Sequence, residues 1–249
     1  MTTLHLIDTN ARSSDSIACD AEELLAYMDA HVNQIASSTE ASAFWETLTS
    51  KETDVTVVRT VLREILLEVF FYNAPIVETG MALIGLMPRN MALRKVKAML
   101  RHLAEEFDHG EMALKDYVAL GGDEVHARSR RMSPAALAAA GIWRMLLNLR
   151  EPFAYVGGMY LFETLTPIVC ERLQAALAGR ELGRSGLGFI EFHSAEDPKH
   201  ATLMRVLIEE TAAQFPESVD AMRYGFDCFR AVYPAPVWEG AYRRALQSV

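Results

Sequence analysis

The chain has 249 residues, of which 51% are hydrophobic and 23% charged, so it can build a large core and is not intrinsically disordered. Its 33 Asp and Glu exceed its 24 Lys and Arg and give a formal net charge of −9, which argues against binding to nucleic acid or an anionic membrane. Its three cysteines form no CxxC pair, which argues against a disulfide framework or a thiolate zinc site and favours a reducing cytoplasm.

Helical periodicity covers most of the chain, and strand signals are almost absent. Residues 1–18 are polar and are expected to form a loose segment without a signal-peptide pattern, ahead of one helical domain over 19–249. No apolar run approaches the length of a membrane span. We therefore predict a single all-α domain of about seven or eight helices, at roughly 20–37, 40–49, 54–87, 91–120, 133–149, 151–179, 187–214 and 217–247.

Three prolines lie inside predicted helices, at Pro75, Pro167 and Pro198. Proline removes a backbone donor and clashes with the preceding turn, so we expect a kink or a break at each position. At Pro198 the helix either widens its turn or restarts with Asp197 as its N-cap.

The segment 192–200 carries the most informative chemical pattern. His193, Asp197 and His200 stand at positions i, i+4 and i+7. At about 100° per residue they fall on one narrow stripe of a helix. Two imidazoles and a carboxylate on one stripe can bind a single metal ion. The alternative is a solvated polar helix face without a ligand.

A second candidate is the pair Glu106 and His109 at i and i+3, the spacing of carboxylate–imidazole pairs in helical metal bundles. Glu105 would also reach His109, at i and i+4, so the choice between the two glutamates stays open. The alternative is an acidic, solvated helix turn.

Two single carboxylates, Glu78 and Glu163, stand in segments that are apolar on nearly every side. A buried carboxylate without a partner is costly or stays protonated, and a metal ion is one such partner. Glu64 and Glu68 are alternatives to Glu78 on the same helical stretch, and the edge of an amphipathic helix would explain these three without a metal.

Together the candidates form a set of four carboxylates and three imidazoles. Seven ligands exceed what one ion in an enzyme uses, whereas two ions that share carboxylates can use all of them. Four negative charges also balance two divalent ions, and oxygen and nitrogen ligands without thiolate indicate iron or manganese. The predicted set is Glu78, Glu106, His109, Glu163, His193, Asp197 and His200.

In chain order the set reads Glu, a Glu/His pair, Glu and then HxxxDxxH, over about residues 60–205. This order resembles the haem-oxygenase-like diiron oxidases and oxygenases, whereas ferritin-like bundles use ExxH from two helices and only one is found among these candidates. The resemblance implies a haem-oxygenase-like helical bundle that binds two Fe(II) ions through the seven residues. It also implies that O2 reacts there through a peroxo-diferric species to oxidise a small metabolite of specialised metabolism. We expect an amino-acid-like substrate, with a fatty acid as the alternative.

Three other hypotheses stay open on the sequence. One is a related bundle enzyme that needs no metal, of the thiaminase or quinone-cofactor-synthase kind. Another is a non-catalytic helical binding protein, in which the seven residues would be scattered. The third is a single-iron site. An external electron donor and a homodimer are compatible with the sequence.

Several further residues carry expectations. Phe107, Phe162 and Phe192 are expected to surround the site and limit access of water. Arg101 or Arg205 could hold a substrate carboxylate. The remaining histidines have no carboxylate partner at motif spacing and are expected at the surface; these are His5, His31, His102 and His126.

Overall fold

The computed structural model describes residues 14–182 and 186–248, and all regular structure in these ranges is helical. The predicted all-α class is therefore confirmed. A 3₁₀ turn at Glu106–Asp108 joins α4 to α5. The helices are α1 Ser14–Glu40, α2 Ala43–Thr49, α3 Val55–Ile84, α4 Leu93–Glu105, α5 His109–Ala119, α6 Glu124–Ser129, α7 Pro134–Leu149, α8 Pro152–Leu177, α9 Gly188–Gln214, α10 Ser218–Val232 and α11 Ala235–Gln247.

The predicted helices are found, but some of them begin, end or divide at other residues than expected. The helix expected at 91–120 is divided into α4 and α5. The segment 217–247 is interrupted at Pro234, as its two prolines predict, and forms α10 and α11. The short helix α6 was not predicted. Helix α1 begins at Ser14, inside the segment expected to be loose, and residues 1–13 lie outside the described residues.

Local capping explains several helix starts. Ser133 precedes Pro134 and accepts a hydrogen bond from the backbone N–H of Ala136, as expected for an N-cap followed by proline at the first helical position. The side chain of Asp123 accepts hydrogen bonds from two backbone N–H groups at the start of α6. These caps satisfy donors that a helix leaves unpaired in its first turn.

The three internal prolines do not break their helices. Pro75 lies inside α3, Pro167 inside α8 and Pro198 inside α9, and each helix continues through its proline. These helices are 30, 26 and 27 residues long, and packing along such lengths outweighs the roughly 3 kcal/mol that an internal proline costs. The predicted restart of α9 with Asp197 as N-cap is therefore wrong.

Helix α8 lies at the centre of the bundle, where it packs mainly against α9 and α10. Among the described helices it alone is long and apolar enough to cross a membrane by length and composition, but 67% of its most apolar window is buried inside the protein. Its apolar character is therefore explained by its position in the core.

Glycines bring α8 and α10 into close contact. A Cβ atom placed on Gly157 would lie 1.8 Å from the carbonyl oxygen of Met222, and one on Gly225 would lie 2.0 Å from that of Ala154. Both neighbours are backbone atoms, which cannot move without separating the helices. Only glycine fits at these two positions.

We expect Gly157→Ala to destabilise the protein by about 3 kcal/mol, the upper end of the usual cost of overpacking. Gly141→Ala is the matched control, because Gly141 lies in helix α7 and a Cβ there would meet nothing within 4 Å. This control should stabilise the fold by about 0.5–1 kcal/mol. Chemical denaturation measures both changes, and equal stabilities of the two variants would contradict the close contact.

Candidate metal centre

Helices α4, α5, α8 and α9, with the 3₁₀ turn, bring four histidines and three carboxylates together in the interior. Six of the seven predicted ligands are among them, and one histidine is an addition. Glu106 is partly buried and the other side chains are buried. The cluster consists of His102, Glu106, His109, Glu163, His193, Asp197 and His200.

One group of four side chains within the cluster offers ligand atoms that all lie within 4.8 Å of one another. It contains His102, Glu106, Glu163 and His200. The Nε2 atom of His102 lies 3.1 Å from Oε1 of Glu163, and Nδ1 of His200 lies 3.3 Å from Oε2 of Glu163. Two imidazoles and two carboxylates at these distances could surround one divalent ion.

A second group contains Glu106, His109 and His193, whose ligand atoms also lie within 4.8 Å of one another. Glu106 and His109 stand across the 3₁₀ turn, where side chains at i and i+3 eclipse each other, and Nδ1 of His109 is 2.8 Å from Oε2 of Glu106. Because Glu106 belongs to both groups, its carboxylate could bridge two ions.

Asn73 of α3 holds the backbone on both sides of the 3₁₀ turn. Its amide Nδ2 donates to the carbonyl oxygen of Glu106, and its Oδ1 accepts from the N–H of Gly110 at 3.0 Å. These bonds satisfy backbone groups next to the change in helix type. Asn73 therefore positions the Glu106–His109 pair.

Hydrogen bonds orient two of the imidazoles. Nδ1 of His193 lies 2.7 Å from the carbonyl oxygen of Phe189, so this nitrogen carries the proton and Nε2 is left free to bind a metal. Nε2 of His200 lies 3.0 Å from a carboxylate oxygen of Glu105, which turns Nδ1 toward the cluster. Glu106 is thus in the cluster, and Glu105 lies behind His200.

The buried charges shift one another's pKa values. Burial alone would lower the pKa of His200, but Glu163 and Glu106 outweigh it and raise that pKa to about 9. Burial opposes ionisation of Glu163 as well, yet His102 and His200 hold the pKa of its carboxyl well below the ordinary range. Burial lowers the pKa of His193 to about 4, so this imidazole is neutral at pH 7 and available as a ligand.

Asp197 is the least compensated carboxylate of the cluster. It is 1% exposed, and its Oδ1 lies 3.8 Å from Nδ1 of His200. Burial, followed by the charges of Glu163 and Glu106, raises its pKa to about 9. Without a bound cation Asp197 is therefore protonated at pH 7.

Helix α3 brings none of its predicted carboxylates to the cluster. Glu78 is exposed, on a stripe of α3 that also exposes Ala74, Met81 and Ala82, whereas its apolar neighbours Ile76 and Val77 face the interior. Glu64 is held by Arg130 and Arg244, and the buried Glu68 is held by Arg244 and Ser133; these partners account for both alternatives without a metal.

The expectations for Phe107 and for the two arginines at the site were wrong. Phe107 is 69% exposed, because it points out of the 3₁₀ turn, whereas Phe162 lines the cavity described below. Arg101 is exposed, and Arg205 is held by Asp29 and Tyr160. Neither arginine lines the cavity.

A mainly apolar cavity adjoins the cluster. Glu106, His109, Glu163, His193 and Asp197 form part of its wall, and most of the remaining wall consists of aliphatic and aromatic side chains from α3, α8 and α9. About 120 Å³ is open to the centres of water molecules, roughly ten times the space that one water requires. The cavity therefore has room for an organic molecule beside the cluster.

The cluster contains buried polar atoms without hydrogen-bond partners in the described part of the chain, which indicates that it fits metal ions. Buried polar atoms without a hydrogen-bond partner among the described residues include both ring nitrogens of His102, Oε1 of Glu106, Nδ1 of His109, Oδ1 of Asp197 and Nδ1 of His200. Several lie close to an opposite charge but are not aligned for a hydrogen bond. Cations would satisfy them together, and an oxygen and nitrogen donor set suits iron or manganese.

The expectation that His102 lies at the surface was wrong, since it is 1% exposed and belongs to the cluster. A sequence signal for it existed. His102, Glu106 and His109 stand at i, i+4 and i+7, the same spacing as His193, Asp197 and His200. Asn73 had no such signal, because its role depends on contacts between different helices.

Comparisons with known proteins agree with this architecture. A family model described as iron-containing redox enzyme matches residues 67–233, about two thirds of the chain and the whole cluster. No curated protein matches the sequence.

Two solved structures share the fold. A domain of unknown function with a heme oxygenase-like fold from Shewanella denitrificans is 20% identical, with a TM-score of 0.74 over 88% of this chain and 92% of that chain. A TenA homolog from Pseudomonas syringae pv. tomato is 10% identical, with a TM-score of 0.65 over 94% of this chain and 96% of that chain. The predicted haem-oxygenase-like fold is confirmed.

We expect Asp197→Asn to stabilise the metal-free protein at pH 8 by at least about 1 kcal/mol. The pKa of Asp197 is raised from 3.8 to about 9 in the folded protein, so the native state binds more protons than the unfolded chain, and the wild type loses stability as pH rises through this interval. Asparagine stays neutral and removes this loss.

Chemical denaturation of the chelator-treated proteins at pH 5 and pH 8 measures this effect, and the advantage of the variant should grow with pH. Glu78→Gln is the control, because it removes an exposed carboxylate and should show no such pH dependence. A variant that is less stable than the wild type at pH 8 would contradict the uncompensated burial of Asp197.

Proposed function

We propose that this chain, which belongs to the family of iron-containing redox enzymes and has a haem-oxygenase-like fold, is a non-haem diiron oxidase or oxygenase. The observation that carries the proposal is the pair of ligand groups that share Glu106 and adjoin a mainly apolar cavity. Two Fe(II) ions bound there would supply the electrons and open coordination positions that activate O2.

Different side chains would hold the two ions. Glu163 and His200 face the first group, and His109 and His193 face the second, with Glu106 between them. The bond from His193 to Phe189 fixes its tautomer before any metal arrives, so little rearrangement is needed on binding. Asp197 would release its proton when a cation approaches, because the cation replaces the proton as its partner.

The apolar wall limits the amount of water at the site. Water at a reactive centre promotes side reactions and proton leakage, and an apolar enclosure reduces both. Phe162 and Tyr233 stack with ring centroids 4.4 Å apart and both line the cavity, while Phe192 packs its ring against His109 and His193. These rings would place an organic substrate next to the cluster and shield it from bulk solvent.

The wall also favours a fatty-acid substrate over an amino-acid-like one. No Lys or Arg lines the cavity in the described part of the chain, and its acidic and imidazole groups all belong to the cluster. An amino acid would also have to bury its ammonium group, for which the described wall offers no acidic partner outside the cluster, and this burial is costly. A fatty acid can place its carboxylate at the cations and its chain along the aliphatic wall of α3 and α8.

The metal-independent bundle enzyme is the second candidate. It is supported by the fold that this chain shares with the TenA homolog, since the fold alone does not separate the two functions. The cluster favours the diiron proposal, because such an enzyme would have no use for seven converging imidazoles and carboxylates.

We further propose that the protein works in the reducing cytoplasm and receives electrons from an external donor, since a diiron site that has reacted with O2 must be reduced again. Cys170 and Cys228 are free thiols, which supports a reducing compartment.

Anaerobic loading with Fe(II) should give close to two iron ions per chain, and exposure to O2 should then consume oxygen. His193→Ala should lower the iron count and reduce oxygen uptake by at least about 10-fold, because a ligand with a fixed tautomer is lost. His126→Ala, at an exposed histidine of α6, is the control and should match the wild type. An iron count near zero for the wild type would end the diiron proposal.

Medium-chain fatty acids should raise the melting temperature of the loaded protein and stimulate oxygen uptake, whereas amino acids should do neither. Val69→Phe narrows the aliphatic wall and should weaken binding of the longest effective acid by about 10-fold while sparing shorter acids, and thermal unfolding checks that the variant folds. Val206→Phe, on the exposed side of α9, is the control. Stimulation by amino acids that is insensitive to Val69→Phe would contradict the proposed substrate class.

A further inference from the structure

The predicted seven-ligand site lacks one carboxylate in the folded protein. Glu78 is exposed, and Glu64 and Glu68 are paired with arginines and belong to neither ligand group. The cavity face of α3 carries Tyr72 and Asn73 near the cluster, and the amide of Asn73 is engaged by the backbone of Glu106 and Gly110. In the described part of α3, therefore, no acidic side chain is available to a metal ion in the cluster.

His102 occupies the space beside the first ligand group. It lies one helical turn before Glu106 on α4, and its side chain is completely buried. Its Nε2 is 3.1 Å from Glu163 and 3.8 Å from Glu106, and its ring stands edge-on to that of His200 with centroids 4.7 Å apart. Both ring nitrogens lack an aligned hydrogen-bond partner among the described residues.

The contact with Glu163 accounts for part of this placement, but it leaves both ring nitrogens without an aligned hydrogen bond to any described residue. A buried imidazole normally donates one ring proton and accepts at the other nitrogen, because leaving both unpaired costs free energy. A cation between His102, Glu106, Glu163 and His200 would satisfy the ring.

We propose that His102 is a metal ligand. The ion in the first ligand group would then be bound by residues of α4, the 3₁₀ turn, α8 and α9, with no carboxylate from α3. The chain then carries the pattern H-x3-acid-x2-H twice, as His102-Glu106-His109 and as His193-Asp197-His200. This inference rests on the proposed metal-dependent function and changes the identity of one ligand.

The exchange of a carboxylate for an imidazole changes the charge of the loaded site. The predicted set has four carboxylates, which cancel two divalent ions, since 4 − 4 = 0. The set with His102 has three, so the loaded site carries a formal charge of 4 − 3 = +1. A net positive centre beside an apolar cavity attracts an anionic group, which agrees with a substrate that carries a carboxylate.

Metal counting on two variants tests the inference. His102→Phe keeps a ring in the buried space and removes both nitrogens, and Glu78→Gln removes the carboxylate that the resemblance would place on α3. After anaerobic Fe(II) loading and desalting, we expect close to two ions in the wild type and in Glu78→Gln, and close to one in His102→Phe. Titration with Co(II), followed by its visible absorption, should show that Co(II) binds to the first ligand group at least about 10-fold more weakly in His102→Phe than in the wild type. Glu78→Gln should show no such change.

Circular dichroism and thermal unfolding of the metal-free proteins show whether His102→Phe is folded, and His102→Gln provides a second variant if it is not. A full iron count in a folded His102 variant would overturn the inference, as would loss of an ion in Glu78→Gln. If the wild type binds two ions and only Glu78→Gln loses one, the diiron proposal stands and the role of His102 fails. If the wild type binds none, both fail.

Discussion

The constraint on which this structure depends is the burial of seven ionisable side chains inside an apolar helical bundle. Buried carboxylates and imidazoles are stable only when they neutralise one another or share a cation. Here three acids face four imidazoles within a few ångströms, and several of their polar atoms still lack an aligned partner. The 3₁₀ turn, the bond of Asn73 to the backbone beside it, and the continuity of α9 through Pro198 all hold side chains at this one place.

Helix α3 shows that a buried acid can also be compensated by other side chains, without a metal ion. It carries three glutamates that sequence analysis considered as ligands, yet the buried one, Glu68, is compensated by Arg244 and Ser133. A carboxylate that is already paired with an arginine is not available as a metal ligand. The surplus of acids in the chain is therefore divided: a few acids are internal, while others such as Glu78 stay in solvent. Two divalent ions in the cluster would change the formal charge from −9 to −9 + 4 = −5.

Sequence patterns succeeded where the relevant geometry lies within one helix. The spacing of His193, Asp197 and His200 placed them on one stripe, and the structure turns that stripe inward. Glu163 was singled out because its whole segment is apolar, and it is buried in the central helix α8. The same argument predicts burial of Glu78, but Glu78 lies on an exposed stripe of α3 while its neighbours Ile76 and Val77 face the interior, so an apolar segment did not mean burial of its acid there.

Sequence alone sufficed for the all-α class, the haem-oxygenase-like family and most members of the cluster, because helical periodicity and residue spacing are local properties. Only the tertiary structure decided that α3 brings no acid to the cluster, that His102 is buried against Glu163, and that Glu106 rather than Glu105 faces both groups. Periodicity sets the angle between residues around one helix axis. It does not say which face turns inward or which side chains of different helices meet, since packing of the whole bundle determines both.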